Sequence, residues 1–306
     1  MSEKRGCLKT GLFGCLGIFV ILILLIGGGA LVAWNKSGDR RIEDKVLTPE
    51  VAPTTTEVDG FKVTEVPAGV GLVLLDLADG EFEIHPAPAG SGLRIEANYD
   101  SAVYALEDYY EALPDSSWVY GVRSRSTISG LHAALRSMMG AGHSTEIDVY
   151  LPADSQMELR VKVAQGGFEA DLGGLWITDA DFYYNKGGFS LAIDEPLKEP
   201  MDTLTIRGSM GGFEASRLGN ASPRLIFVQC KMGGADIDLR GDWARDAAIN
   251  LEVLMGGIGV RVPDHVRAEG VEGMQGADKL MMTDSEMPQP VLRFKVKQKM
   301  GEIELY

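Results

Sequence analysis

The residues best suited to chemistry in this 306-residue chain are four histidines and a set of regularly spaced carboxylates. His85, His132, His143 and His265 are far apart in sequence, and no two of them have the H-x-x-x-H or H-E-x-x-H spacing of a metal site. Scattered histidines of this kind indicate structural or surface roles. We therefore predict no metal ligand and no cofactor.

Four carboxylates in strand-like segments are the candidates for catalysis. Asp171, Asp236, Asp238 and Glu214 could align on one outer face, bind Ca²⁺, or form the acid/base pair of a glycosidase or lyase. An acidic outer face is also the usual complement of a buried strand face, and no cluster of basic and aromatic residues accompanies these carboxylates to hold a sugar. No phosphate loop, G-x-S-x-G elbow or kinase signature is present. We predict no catalytic residue and no enzymatic activity, and a carbohydrate-active enzyme remains the alternative.

Two short motifs have ordinary explanations. Arg240-Gly241-Asp242 spells RGD at a predicted turn, where one match is expected by chance. Asn35 and Asn220 begin N-x-S sequons, which matter only in a eukaryotic secretory pathway.

The elements that would position these residues are defined by a repeat of glycine pairs. The pairs stand at residues 166–167, 187–188, 211–212, 233–234 and 256–257, and Met300-Gly301-Glu302 is a degenerate last copy. Successive spacings of 21 to 24 residues, with a final gap of 45 that fits about two repeats, are typical of a solenoid.

Apolar and polar residues alternate on both sides of each glycine pair. Such a period of two predicts strands with one buried face and one acidic, solvated face, and it excludes a helical solenoid. The predicted buried positions, in order, are Leu159, Val161, Val163, Phe168, Ala170, Leu172, Phe189, Leu191, Ile193, Ala235, Ile237, Leu239, Ile249, Leu251, Val253, Ile258, Val260, Val262, Leu292, Phe294 and Val296. Each repeat is therefore predicted to be a strand, a glycine corner, a second strand and a return.

The corner itself has a recognisable composition. Glycine suits a positive φ or a close approach of neighbouring backbone, where a Cβ would clash. Methionine precedes the glycines at Met210, Met232, Met255 and Met300. We predict that these methionines stack as a ladder inside the core, and the alternative is a methionine-lined groove for a partner.

The segment before the repeats also predicts strands. Residues 61–100 alternate in short runs with turn signals at residues 79–80 and 86–92, whereas residues 101–125 suit either strand or helix. Leu131, Ala134, Leu135, Met138 and Met139 have helical spacing and predict one short helix.

The charge distribution restricts the partners. Residues 46–306 carry 22 basic and 40 acidic side chains, a net charge of −18. A domain of this charge repels phosphate backbones and anionic lipid surfaces, so we predict no nucleic-acid binding.

An uncharged stretch near the N-terminus predicts a membrane anchor. Residues 10–34 contain no charged side chain for 25 positions, more than the roughly 20 residues needed to span a bilayer. A cleaved signal peptide is the alternative, because Gly28 and Ala30, or Leu31 and Ala33, could lie near a cleavage site. Lys4, Arg5 and Lys9 precede the span and a similar number of basic residues follows it, so the positive-inside rule does not decide the membrane orientation. The simplest arrangement keeps the short N-terminal tail inside the cell and exports the large acidic domain.

Several phrases resemble a known superfamily. EIDVYLPADSQMELRVKVAQGGFEADLGGL (146–175), LTIRGSMGGFEASRLGN (204–220), GGADIDLRGDW (233–243) and EVLMGGIGVRVPDHV (252–266) are similar to bacterial toast-rack domains. These domains occur in the C-terminal region of LiaF-type cell-envelope stress proteins and in related adhesin-type proteins. The resemblance implies a β-solenoid-like extracytoplasmic module that acts through protein contacts, and it implies no catalytic residue. This chain has one predicted span where the LiaF-type layout has several.

These observations predict an all-β chain with a parallel, β-helix-like solenoid of about 22-residue repeats, after a single transmembrane helix. The predicted organisation is a basic tail (1–9), a transmembrane helix (10–34), a linker (35–60) and a toast-rack-like solenoid domain (61–306). The predicted function is a non-catalytic interaction module of the cell envelope, a stress sensor or scaffold, held in the cell membrane with its C-terminal domain outside. Its predicted partners are membrane lipid through residues 10–34 and a protein, or a second copy, through the solenoid. The open last strand at residues 302–306 is the predicted contact, and a carbohydrate-binding adhesin is a further alternative.

Overall fold

A computed structural model describes residues 41–49, 66–128, 145–272, 275–276 and 289–306. The predicted membrane span at residues 10–34 and the predicted helix at residues 131–139 lie outside these ranges. Within them the chain is nearly all β: thirteen strands and one 3-10 turn (Leu218–Ala221), with no α-helix. The strands are β1 (Ile42–Leu47), β2 (Gly71–Pro86), β3 (Arg94–Asp100), β4 (Tyr104–Ala112), β5 (Trp118–Ser126), β6 (Glu146–Leu151), β7 (Met157–Asp171), β8 (Ile177–Ala192), β9 (Thr203–Ser216), β10 (Leu225–Asp238), β11 (Ala247–Arg261), β12 (Arg267–Glu269) and β13 (Val291–Leu305).

All thirteen strands belong to one sheet. Its main path is β1-β3-β6-β2-β7-β8-β9-β10-β11-β13-β12, with β5 pairing β2 and β4 pairing β5 beside that path. From β6 to β12 every pairing along the path is parallel, whereas β1–β3, β3–β6 and β4–β5 are antiparallel. The long strands from β7 to β11 stack in chain order, as the repeat predicts.

The predicted glycine corners form a ladder in register. Gly166, Gly187, Gly211, Gly233 and Gly256 have φ between 122° and 138°. A Cβ on each would lie 1.7 to 1.9 Å from the carbonyl oxygen of the glycine on the preceding strand. Only glycine fits such a position, because L side chains avoid this φ and the neighbouring backbone occupies the space.

Gly80 is the first rung of this ladder, which corrects one sequence-based prediction. Asp79-Gly80 has turn chemistry, yet β2 runs through it without a break, and Gly80 pairs with Gly166 of β7. Gly80 has a φ of 155°, and a Cβ at this position would lie 2.3 Å from the carbonyl oxygen of Thr145. This glycine therefore has the same role as those in the later strands. The predicted turn at residues 86–92 does follow β2.

The core lies on one face of the long strands and against the return segments. Every core position that the alternation predicts is buried except Ala235 and Val296, which are partly buried and pack on the same cluster. Aromatic residues follow the register inside it: the Phe168 and Phe189 rings stack 5.0 Å apart at 7°, and Phe213 lies 6.4 Å beyond Phe189. The sequence alternation therefore identified the core face correctly.

Two parts of the chain differ from the prediction before the repeats. Residues 42–47, inside the predicted linker, form β1, which pairs with β3 and buries Leu47. The ambiguous segment 101–125 folds as the hairpin of β4 and β5, with Tyr120 fully buried in the core. Cross-strand pairing therefore decides a segment whose local pattern suited both structures.

Candidate functional site

The corner methionines form a ladder on the surface. Met210, Met232, Met255 and Met300 are register partners on four successive strands, as the repeat predicts. The prediction that they fill the core is wrong: Met210, Met232 and Met300 are 40%, 39% and 65% exposed. We call these four residues with Leu254, itself 38% exposed, the methionine ridge.

The physical reason is a change of phase at the corner. Cys230 and Ile237 lie on the two sides of the corner and are both buried. They are seven positions apart, so a strict period of two would place them on opposite faces. Residues 231–234 between them are all exposed. The corner shifts the alternation by one residue, and the residues just before the glycine pair therefore point away from the core.

Basic side chains flank the ridge. Lys231 and Lys299 immediately precede Met232 and Met300, and Lys186 pairs with Met210 in register. Next to Leu254 of the ridge, a depression of about 300 Å³ is also lined by Lys231, Glu252, Lys297 and Lys299. Lysines therefore border the exposed methionines in a chain of net charge −15, and one of them, Lys297, is paired with Glu252 at 2.5 Å.

The last long strand is partly covered. β12 pairs with residues 291–293, and the Leu305 amide donates to the Gln275 carbonyl at 2.9 Å. Among the described residues, none pairs with the outer edge of β13 between these two points. A groove of about 660 Å³ runs there, lined by Val296, Gln298 and Ile303 among others.

The structure brings together two of the four predicted carboxylates. Glu214 and Asp236 are register partners on β9 and β10. Asp171 pairs with Ala192, and Asp238 pairs with Arg261, so neither faces a carboxylate on that neighbouring strand.

Three of these carboxylates also have structural partners. Asp236 accepts a hydrogen bond of 2.5 Å from the Tyr306 hydroxyl, and Asp171 accepts one of 2.9 Å from the Gly173 amide. Asp238 pairs with Arg240 at 2.6 Å. Burial raises the pKa of Asp238, but hydrogen bonds from the Arg240 side chain and backbone outweigh it, and the pKa is lowered overall. An ionised, arginine-bound carboxylate is a poor general acid.

The RGD tripeptide and the second sequon both hold return segments together. Arg240 is occupied by Asp238, and the Asp242 amide donates to Asn220 Oδ1 at 3.1 Å. Asn220 Nδ2 in turn donates to the Ile193 carbonyl at 2.8 Å. These residues are therefore explained by packing between successive returns.

One histidine lies in a group that the sequence analysis missed. His85 Nε2 is 3.0 Å from Glu83 Oε2, and one ligand atom from each of Glu83, His85 and Asp148 lies within 4.8 Å of the others. Burial, followed by the charge of Glu83, raises the pKa of Asp148. His132 and His143 lie outside the described residues, and His265 is exposed on a loop.

A local signal for this group was present in the sequence. Glu81, Glu83 and His85 alternate along β2, so a strand places all three on one face. Asp148 could not be added from sequence, because β6 pairs with β2 without any repeat to indicate it.

Comparison with known proteins adds little to this description. No family model matches the chain, and no curated protein matches it. Among solved structures it is similar to the crystal structure of a "putative cell adhesion protein" from Clostridium sporogenes ATCC 15579, at 14% sequence identity and a TM-score of 0.39. The match covers 87% of this chain and 99% of that one. In the part of the chain that the structure describes, no helix has the length and hydrophobicity to cross a membrane.

Proposed function

We propose that the protein is a non-catalytic interaction module in which a β-solenoid of the toast-rack type is displayed outside the cell membrane. Residues 10–34 would anchor it, and the domain would act as an envelope stress sensor or scaffold. The methionine ridge is the observation that carries this proposal. Four register-aligned methionines and a leucine lie on the surface of an acidic protein, and packing in the core does not explain them.

The composition of the ridge indicates the kind of partner. Methionine is unbranched and adaptable, and it is common on surfaces that bind protein segments. The surrounding lysines favour an acidic border on the partner, since complementary charges steer association and determine orientation. The proposed partner is therefore a protein surface with an apolar centre and acidic edges.

The test is chemical crosslinking of the membrane-embedded full chain, followed by mass spectrometry of the captured proteins. Replacing Met232 and Leu254 by serine removes apolar surface at exposed positions, and such changes alter stability by only about 0.5 kcal/mol. We expect these substitutions to abolish capture of the partner. Val46→Ser is the matched control, because Val46 is 62% exposed on β1, away from the ridge.

Each outcome has a clear meaning. Loss of the partner in the ridge variant, with retention in Val46→Ser, supports the interaction module, and capture of a second copy identifies the partner as the chain itself. Undiminished capture by the ridge variant contradicts the assignment of this surface. Recovery of glycan or wall fragments alone favours the adhesin or carbohydrate-active alternative.

A further inference from the structure

We propose that Glu83, His85 and Asp148 bind a divalent cation of the Zn²⁺ class. The three side chains extend from two neighbouring strands, with Glu83 and Asp148 in direct register on β2 and β6. One ligand atom from each already lies within 4.8 Å of the other two. Small side-chain rotations therefore bring all three to one ion, and water completes the coordination.

The charge around the three residues favours a cation. Glu96 of β3 is the register partner of Asp148 on the side away from Glu83, so three carboxylates lie in a row across three strands. Like charges directly opposite one another destabilise a sheet. Arg94 engages Glu96 at 3.3 Å, whereas no lysine or arginine of the described ranges forms an ion pair with Glu83 or Asp148.

The donor set selects the type of ion. One imidazole nitrogen and two carboxylates suit Zn²⁺ and related transition metals, whereas Ca²⁺ takes oxygen ligands only. The His85 ring also has a fixed neighbour: its centroid is 5.7 Å from that of Tyr150, and the Arg94 guanidinium lies 4.7 Å from the Tyr150 ring centre. Neighbouring groups of this kind limit the orientations of a ligand side chain.

A bound ion would have a structural consequence at this place in the sheet. β6 joins the antiparallel strands β1 and β3 to the parallel strands that begin with β2. An ion shared by β2 and β6 would fasten these two parts together. The proposed site is distinct from the methionine ridge and does not depend on the function proposed for it.

The test is isothermal titration calorimetry of the purified, detergent-solubilised full chain with Zn²⁺, compared with Ca²⁺. We expect one Zn²⁺ site per chain that His85→Ala and Asp148→Asn each weaken by about tenfold or more. His265→Ala is the matched control, because His265 is an exposed histidine on the loop after β11 and belongs to none of the strands that carry the proposed site. Its affinity for Zn²⁺ should equal that of the native chain.

Thermal unfolding provides a second readout. Zn²⁺ should raise the Tm of the native chain and of His265→Ala but leave that of His85→Ala unchanged. Three results would overturn the proposal: no Zn²⁺ binding, binding that survives both His85→Ala and Asp148→Asn, or Ca²⁺ binding as tight as Zn²⁺ binding.

Discussion

At the scale of the residue, the two glycines of each pair have different structural roles although they are the same residue type. Gly187 has a φ of 133°, and a Cβ there would lie 1.9 Å from the Gly166 carbonyl oxygen. Gly188 has no positive φ, and a Cβ added to it would have no other atom within 4 Å. Only the first glycine of the pair is therefore required by the backbone.

This difference gives a matched pair of substitutions. We expect Gly187→Ala to lower the free energy of unfolding by about 2 kcal/mol or more, because strained φ alone costs about 1–3 kcal/mol and the clash adds to it. Gly188→Ala should change it by less than about 0.5 kcal/mol. Chemical denaturation of both variants measures the difference, and equal effects would contradict the carbonyl ladder.

A second prediction concerns Asp179 on β8 and the pH dependence of stability. Burial raises the pKa of Asp179, the charges of Glu158 and Asp202 add to this shift, and a hydrogen bond with Thr203 opposes it. The folded protein therefore holds this proton more tightly than the unfolded chain does. The side chain costs stability once the pH exceeds its unfolded pKa of about 4, and the cost is absent in acid.

Asp179→Asn should therefore raise the Tm at pH 7, and the gain should disappear near pH 3, below the unfolded pKa of about 4. Thermal unfolding followed by circular dichroism across this pH range tests both parts. A gain that persists unchanged in acid would show that relief of charge is not its cause.

At the scale of the element, β13 ends the stack of long strands and is part of the core. Ile303 and Leu305 are 3% and 1% exposed, and the Val262 amide donates to the Tyr306 carbonyl at 3.1 Å. Residues 302–306 are the binding contact predicted from the sequence. The same stretch pairs with β11 and places Ile303 and Leu305 in the core.

Deletion of residues 302–306 should therefore destabilise the fold. Loss of two buried aliphatic side chains corresponds to about 3–6 kcal/mol. We expect a large drop in Tm, whereas deletion of Tyr306 alone, which is 39% exposed, should have a smaller effect. A truncated chain with native Tm would contradict the packing of β13. Self-association at this end is better tested with the full chain, because truncation changes folding and binding together.

Some elements were accessible from sequence and others were not. The 21- to 24-residue spacing of glycine pairs predicted the order and register of β7 to β11, because a repeat places equivalent residues side by side. β1 and β3 do not belong to the glycine repeat, and their pairing joins residues 42–47 to residues 95–100, which are far apart in sequence. Such contacts depend on tertiary packing, which local patterns do not encode.

The candidate surfaces show the same division. The sequence correctly aligned Met210, Met232 and Met300 but placed them inside, because an apolar side chain repeated at equivalent positions suggests a ladder in the core and the exposure of the corner itself was not predicted. Glu83 and His85 share a face by simple alternation, whereas their approach to Asp148 requires the β2–β6 pairing. The register of the repeated strands could be predicted from the sequence, whereas the direction in which the corner side chains point could not.

At the scale of the whole molecule, the number of strands in the single sheet determines its length along the stacking direction. Eleven strands follow one another from β1 to β12, and at about 4.8 Å per step the path spans about 50 Å. β1 begins close after the proposed anchor, and the methionine ridge lies on strands towards the other end. The repeat number would then determine how far from the membrane the ridge is held. Gain or loss of one 22-residue unit would alter that reach by about 4.8 Å, and the corner glycines of the remaining strands could still align in register.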